Sequence, residues 1–270
     1  MSGLVLLLAA SLPSVASINL CADQLVLTIA APEQIATVSW LSADPEESLL
    51  AAEAARHPLN YGSAEELLHF DPDVVIAGAY TNAFTRTLLA RLGYRVVELE
   101  PETTVAEIEA NVQRVADAIG REERGATIVA DMHAQLRELA ARRLELAAQL
   151  PAGALRAVVI EPGSFTVGEH WLANELMTLA GLRNVAAEQG LDRWGSLSME
   201  TLLTSAPELV VLTGYRSSQP SLANAVLGHP ALARLRAQQR TVVVPGAYWS
   251  CGLPQSLGAV ALLQRAAAQP

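Results

Sequence analysis

Lysine is absent from this sequence: all 18 basic residues are arginine, set against 28 acids for a net charge of −10. An acidic chain without a basic run cannot neutralise a phosphate backbone, so nucleic acid is excluded as a partner. The phosphate-gripping loop that ends in Gly-Lys is excluded with it. Two cysteines in 270 residues are too few for a disulfide scaffold or a structural zinc cluster. The five histidines, His57, His69, His133, His170 and His229, stand in different elements without HExxH or HxH spacing. No preformed metal site and no resident cofactor are therefore expected. GxSxG, GxGxxG and Walker patterns are missing too, which leaves little room for a hydrolase or nucleotide enzyme. Aromatic residues number only twelve. What is present is a globular composition, 51% hydrophobic and 17% charged.

Near the N-terminus, Leu4 to Ala10 reads LVLLLAA, too short to span a bilayer. Ser14 and Ala16 stand at the −3 and −1 places of a signal-peptidase site, so residues 1–16 are expected to be a signal peptide and the mature chain to begin at Ser17. The alternative is a buried first strand. Met1-Ser2-Gly3 supplies only the α-amino charge, which leaves open a start upstream of Met1. The bulky Leu20 before Cys21 argues against a lipid anchor there.

Strands alternate with helices along the rest. Strands are predicted over 17–20, 35–40, 74–78, 95–99, 156–160, 209–213 and 241–244, with helices between. Residues 121–149 are rich in Ala, Leu, Arg and Glu and contain no Pro, which predicts one helix of roughly 43 Å. Two segments repeat each other. Residues 63–78 (SAEELLHFDPDVVIAG) and 198–214 (SMETLLTSAPELVVLTG) share Ser, Glu, Leu-Leu, Pro, an acid, an apolar run and Gly in the same order. Ser63 and Glu66 form a capping box at the start of the first. The pattern predicts an α/β fold: two Rossmann-like lobes with parallel sheets, 17–120 and 151–270, joined by a backbone helix over 121–150. Two such lobes joined by one rigid helix are expected to leave a cleft between them.

This layout resembles the helix-backbone substrate-binding proteins of ABC importers for vitamin B12, ferric siderophores and haem. The resemblance rests on Ser17-Ile-Asn-Leu-Cys-Ala-Asp-Gln24, Tyr61-Gly-Ser-Ala-Glu-Glu-Leu-Leu68, Asp71-Pro-Asp-Val-Val-Ile-Ala77, Phe165-Thr-Val-Gly168 and Trp194-Gly-Ser-Leu-Ser-Met-Glu200 with Pro207-Glu-Leu-Val-Val211. It implies a periplasmic, monomeric protein that is not an enzyme. It implies as well a large ligand held between the lobes and a permease dimer as partner. Ligands of parallel α/β sheets meet the loops after the strand C-termini. Those loops carry Cys21, Trp40 and Tyr80 in one lobe, and Phe165, Tyr215, Arg216, Tyr248 and Trp249 in the other, while Tyr61 and Trp194 precede the two repeated helices. Eight of the twelve aromatics thus fall on the predicted cleft, which suits a large, flat or greasy ligand. A corrinoid is the first expectation, a ferric siderophore the second and haem the third. The resemblance puts Cys21 and Cys251 at the cleft, one per lobe, as free thiols, ligand contacts or a disulfide. It also assigns Glu65 and Glu200, equivalent in the repeat, to docking on the permease. The reading from another class is an exported hydrolase or chelatase-like enzyme on the same fold.

Overall fold

The structure is a computed structural model that describes residues 12–149, 154–213 and 229–269. The N-terminal lobe is a five-stranded parallel sheet of order β3-β2-β1-β4-β5: β1 Val15–Ser17, β2 Ile35–Ser39, β3 Leu59–Asn60, β4 Val74–Gly78 and β5 Arg95–Leu99. Its helices are α1 Leu20–Ile29, α2 Ala51–Ala54, α3 Ala64–Phe70, α4 Ala83–Arg91 and α5 Val105–Ala118. The C-terminal lobe holds a four-stranded parallel sheet, β11-β10-β6-β8, from β6 Arg156–Ile160, β8 Arg183–Asn184, β10 Leu209–Thr213 and β11 Arg240–Val244. A two-stranded antiparallel ribbon, β7 Phe165–Val167 with β9 Trp194–Ser196, is added to it. Helices α7 Leu172–Leu179, α8 Val185–Glu188, α9 Met199–Thr204, α10 Pro230–Gln238 and α11 Leu257–Ala268 complete this lobe.

Helix α6, Glu122–Gln149, links the two sheets and packs on α5 of one lobe and on α7 and α11 of the other. Its 28 residues make it about 42 Å long. The buried stripe is Gly125, Ile128, Met132, Leu139 and Leu146. Leu144 of the same helix points to solvent. Gly125 is needed for close crossing, since a Cβ there would lie 2.5 Å from the Cβ of Ala116. One apolar cluster runs through both lobes along this helix. Strands β4 and β10 are buried on both faces, with Val74, Ile76, Leu209 and Val211 turned into that shared cluster. Val75 and Ala77 face a smaller cluster of the N-lobe, and Val210 and Leu212 one of the C-lobe. Such double burial is what turns a strand into an unbroken apolar run.

The sequence repeat is a structural repeat. Ser63 and Ser198 each cap their helix, accepting from the amides of Glu66 and Thr201. Each helix ends in a non-glycine residue at positive φ just before proline, Asp71 at 43° and Ala206 at 46°. The acid after that proline then accepts from the amide at the start of the lobe's central strand: Ser14 N–H to Asp73 at 2.7 Å, and Arg156 N–H to Glu208 at 2.9 Å.

The first strand lies across the expected N-terminal boundary. Val15, Ala16 and Ser17 are fully buried at the centre of the first sheet, paired with β2 on one side and β4 on the other. A cut after Ala16 would remove two of the three residues of this strand. The expected strand over 17–20 is likewise displaced, because Asn19 caps a helix that begins at Leu20.

Candidate functional site between the sheets

Each sheet reverses its strand order once, and a cavity opens at the carboxyl end of each reversal, where α/β sheets place ligands. In the N-lobe the reversal lies between β1 and β4. Asn19 Oδ1 accepts from the amides of Cys21 (3.0 Å) and Ala22 (3.4 Å), capping α1. A Cβ on Gly78 would come within 2.9 Å of that same oxygen, so the glycine makes room for the cap. A cavity of about 110 Å³ opens here, between Asn19, Cys21, Gly78, Tyr80, Glu100 and Glu102 of one lobe and Trp171, Arg193, Trp249 and Ser250 of the other. In the C-lobe the reversal lies between β6 and β10. A second cavity of about 400 Å³ is lined there by Glu161, Pro162, Phe165, Trp194, Thr213, Gly246, Trp249 and Ser250. Trp249 and Ser250 line both, so the two form one cleft.

The lobes are tied across the floor of this cleft. Cys21 and Cys251 are joined as a disulfide, with Cα atoms 5.1 Å apart and a sequence separation of 230. Beside it, Glu102 meets the backbone amide of Gly252 and accepts from Asn111 Nδ2 at 2.5 Å. Glu175 of the C-lobe accepts from the first amide of α5, Val105 N–H, at 2.6 Å. Gln255 Nε2 reaches Thr28 Oγ1 at 3.2 Å. Burial pushes the carboxyls of Glu102 and Glu175 above the usual carboxylate range.

Behind the N-lobe wall sits Asp23, fully buried. It accepts from the hydroxyls of Ser17 and Ser39 and from the Ser39 amide at 3.0 Å. Burial raises its carboxyl to about 6 despite the hydrogen bonds from Ser17, Ser39 and Ser42 that pull the other way. This network fixes the end of β2, from which Trp40 projects.

The sequence profile of the periplasmic binding protein family matches residues 15–245. The chain belongs to the periplasmic binding protein family. Its members are binding proteins rather than enzymes. A relative from Bacillus subtilis (strain 168), an uncharacterized ABC transporter substrate-binding lipoprotein, YvrC, is 20% identical over 154 residues. That match takes in 56% of this chain and 48%, about half, of the relative. Among solved structures, the apo form of the periplasmic heme-binding protein RhuT from Roseiflexus sp. RS-1 superposes with a TM-score of 0.76 at 18% identity, covering 95% of this chain and 100% of that one. The periplasmic vitamin B12 binding protein BtuF of Vibrio cholerae gives 0.69 at 18% identity, covering 95% and 96%. At such identities the likeness is one of fold. No described helix of this family member is long and apolar enough to cross a membrane.

Of the predicted cleft residues, Cys21, Tyr80, Phe165, Trp194 and Trp249 line the cavities. Phe165 and Trp194 stack with centroids 3.9 Å apart, and Trp194 Nε1 donates to Glu161 at 2.9 Å. Trp40 and Tyr61 leave the ends of β2 and β3 as an exposed pair, centroids 6.1 Å apart, on the same sheet edge but outside both cavities. Tyr248 turns away: its ring lies on Gly258 of α11, where a Cβ would approach Cε1 to 2.6 Å. Cys251 is buried, and the disulfide leaves neither sulfur as a thiol for a ligand. Tyr215 and Arg216 lie outside the described residues. Sequence reasoning missed Trp171, Asn19 and Glu102. Asn19 was detectable as a residue of N-cap type just ahead of an apolar helix. Trp171 closes a loop after the ribbon strand β7, which the strand reading did not resolve as a separate element.

Proposed function

We propose that this protein captures a large, flat metal chelate outside the cytoplasm and hands it, as a monomer, to the two-fold permease of an ABC importer. One observation carries the reading: the carboxyl ends of both sheets converge on a single cleft walled by Tyr80, Trp171, Trp194 and Trp249. Aromatic faces bind flat, apolar surfaces and add about 1 kcal/mol each beyond burial. A corrinoid is the favoured cargo. Haem is the second reading, supported by Tyr80, 80% exposed at the cavity wall and able to offer a phenol oxygen to iron. An acidic ferric chelate fits less well, because Arg193 shares its cavity with Glu100 and Glu102. Fold neighbours that bind haem or vitamin B12 support the same class. The disulfide supports an oxidising compartment.

Delivery is assigned to Glu65 and Glu200. Both are exposed at the second position of a serine-capped helix, and both are followed one turn later by an exposed leucine, Leu68 and Leu203. A permease that presents the same basic pocket twice can grip such a pair through bidentate arginine–carboxylate contacts. Tryptophan fluorescence titrated with cyanocobalamin and with haemin tests the cargo, and no quenching by either overturns it. Glu65→Ala with Glu200→Ala should leave cargo affinity intact and lower uptake. Normal uptake by the double variant would reduce both residues to helix-end acids.

A further inference from the structure

One segment of the C-lobe is stitched to the N-lobe. It is the return from β11 to α11, residues 245–256. Cys251 is bonded to Cys21 of α1, Gly252 gives its amide to Glu102, and Gln255 Nε2 reaches Thr28 Oγ1 near the end of α1. The segment lies so close to the N-lobe that a Cβ on Gly252 would stand 2.5 Å from the Cβ of Glu102. One further bond runs the other way, from Val105 N–H of the N-lobe to Glu175 of the C-lobe at 2.6 Å. Of these ties only the disulfide is covalent, and a chain with two cysteines can make no second one.

The same segment builds the cleft. Trp249, two residues before Cys251, lines both cavities, with Ser250 beside it. Gly252 lines the first cavity on the C-lobe side, and Asn19 and Cys21 line it on the N-lobe side. The disulfide thus joins the two walls of the first cavity. Without it, the hydrogen bonds just named remain, together with the shared apolar cluster in which Trp249, Cys251 and Leu253 are buried. That cluster keeps a reduced chain folded, so loss of the bond acts on the register of the walls and not on the fold. A ligand held between two walls binds best when they are fixed beforehand, because less freedom is lost on binding.

We propose that the Cys21–Cys251 disulfide is a redox switch on cargo affinity. Oxidised, it fixes the wall that carries Trp249 against the wall that carries Asn19. A dithiol reductant opens it. One thiolate attacks the sulfur of Cys21, the partly exposed half of the pair; the S–S bond breaks, and Cys251 leaves as a thiolate that takes up a proton. The second thiol of the reductant then displaces Cys21 as a thiol and closes the reductant's own disulfide. Two electrons and two protons pass to the protein, and the cleft loosens. Linkage requires the reverse as well: cargo in the cleft makes the bond harder to reduce by the same factor. The inference rests on the cleft being the cargo site.

The test compares the full-length protein in three forms: oxidised, reduced with dithiothreitol and then freed of it without air, and reoxidised with oxidised glutathione. Cyanocobalamin and haemin are titrated into each form by tryptophan fluorescence. Affinity should fall about ten-fold on reduction and return on reoxidation. Without cargo, hydrogen exchange at the Gly252 and Val105 amides should speed up about ten-fold or more on reduction, while far-UV circular dichroism stays unchanged. Equal affinity in the oxidised and reduced forms, or exchange at both amides that ignores reduction, would overturn the switch. Loss of the circular-dichroism signal on reduction would overturn it too, and make the bond a staple of the fold. If neither probe binds the oxidised protein, the cargo reading falls, and amide exchange alone decides whether the bond sets the contact between the lobes.

Discussion

The two lobes solve the same problem at their sheet reversals in opposite ways. In the N-lobe the strand end that corresponds to Thr213 is Gly78, and Asn19 fills the space above it while capping α1. Asp23 gathers the hydroxyls and amide around the end of β2. The C-lobe puts a threonine at that strand end and a tryptophan nearby, and Thr213 Oγ1 and Trp249 Nε1 have no hydrogen-bond partner among the described residues. Equivalent backbones therefore carry different duties. At its reversal the N-lobe pairs Asn19 Oδ1 and the Asp23 carboxyl within itself.

The largest test of this contrast releases the lobes from each other. Replacing Cys21 and Cys251 together by alanine should lower the unfolding free energy by about 4 kcal/mol, because the bond closes a very long loop. Urea unfolding should then show the lobes losing structure over a broader range. An unchanged midpoint would mean that α6 and the shared core alone hold the lobes in register.

A pH effect of roughly 3 kcal/mol belongs to the N-lobe wall. Asp23 is raised in the fold from 3.8 to about 6. Between those values the native chain binds a proton that the unfolded chain has lost. This group's contribution is thus fully present below about pH 4, is lost as pH rises towards 6, and is flat beyond. The difference in unfolding free energy between wild type and Asp23→Asn, measured from pH 4 to 7, should carry that slope. A difference independent of pH would remove the titration from Asp23.

Two smaller substitutions compare the strand ends directly. Gly78→Ala should push Asn19 off its cap and destabilise by about 1 kcal/mol. Thr213→Val should change stability by less than about 0.5 kcal/mol, or raise it, since it deletes a buried hydroxyl that has no bond to lose. Thermal melts of both variants measure the pair. A large loss in Thr213→Val would reveal a partner for its hydroxyl and close the C-lobe as tightly as its neighbour.

The parts readable in the sequence were those set by local rules. Ser63 and Ser198 announce their helices, and the apolar runs 74–78 and 209–213 announce strands buried on both faces. The long Ala/Leu/Glu/Arg stretch without proline announces α6 to within a residue or two. The first strand was misplaced because the apolar run at 4–10 dominated its neighbourhood, while Val15 and Ala16 owe their burial to β2 and β4. Which aromatics face the cleft was only partly legible: Trp194 and Trp249 do, but Tyr248 turns to a glycine ten residues later in the chain. The pairing of two cysteines and the orphaned state of two polar atoms are tertiary facts with no local signature.

The single cross-link also has a consequence for biosynthesis. Cys251 is made 230 positions after Cys21, so the bond can close only once both lobes have been synthesised. With no third cysteine in this chain, there is one intramolecular pairing to make and no wrong one to correct. Maturation needs an oxidant but no isomerase, and a truncated chain that lacks the C-lobe is left with a lone, reactive thiol that marks it as unfinished.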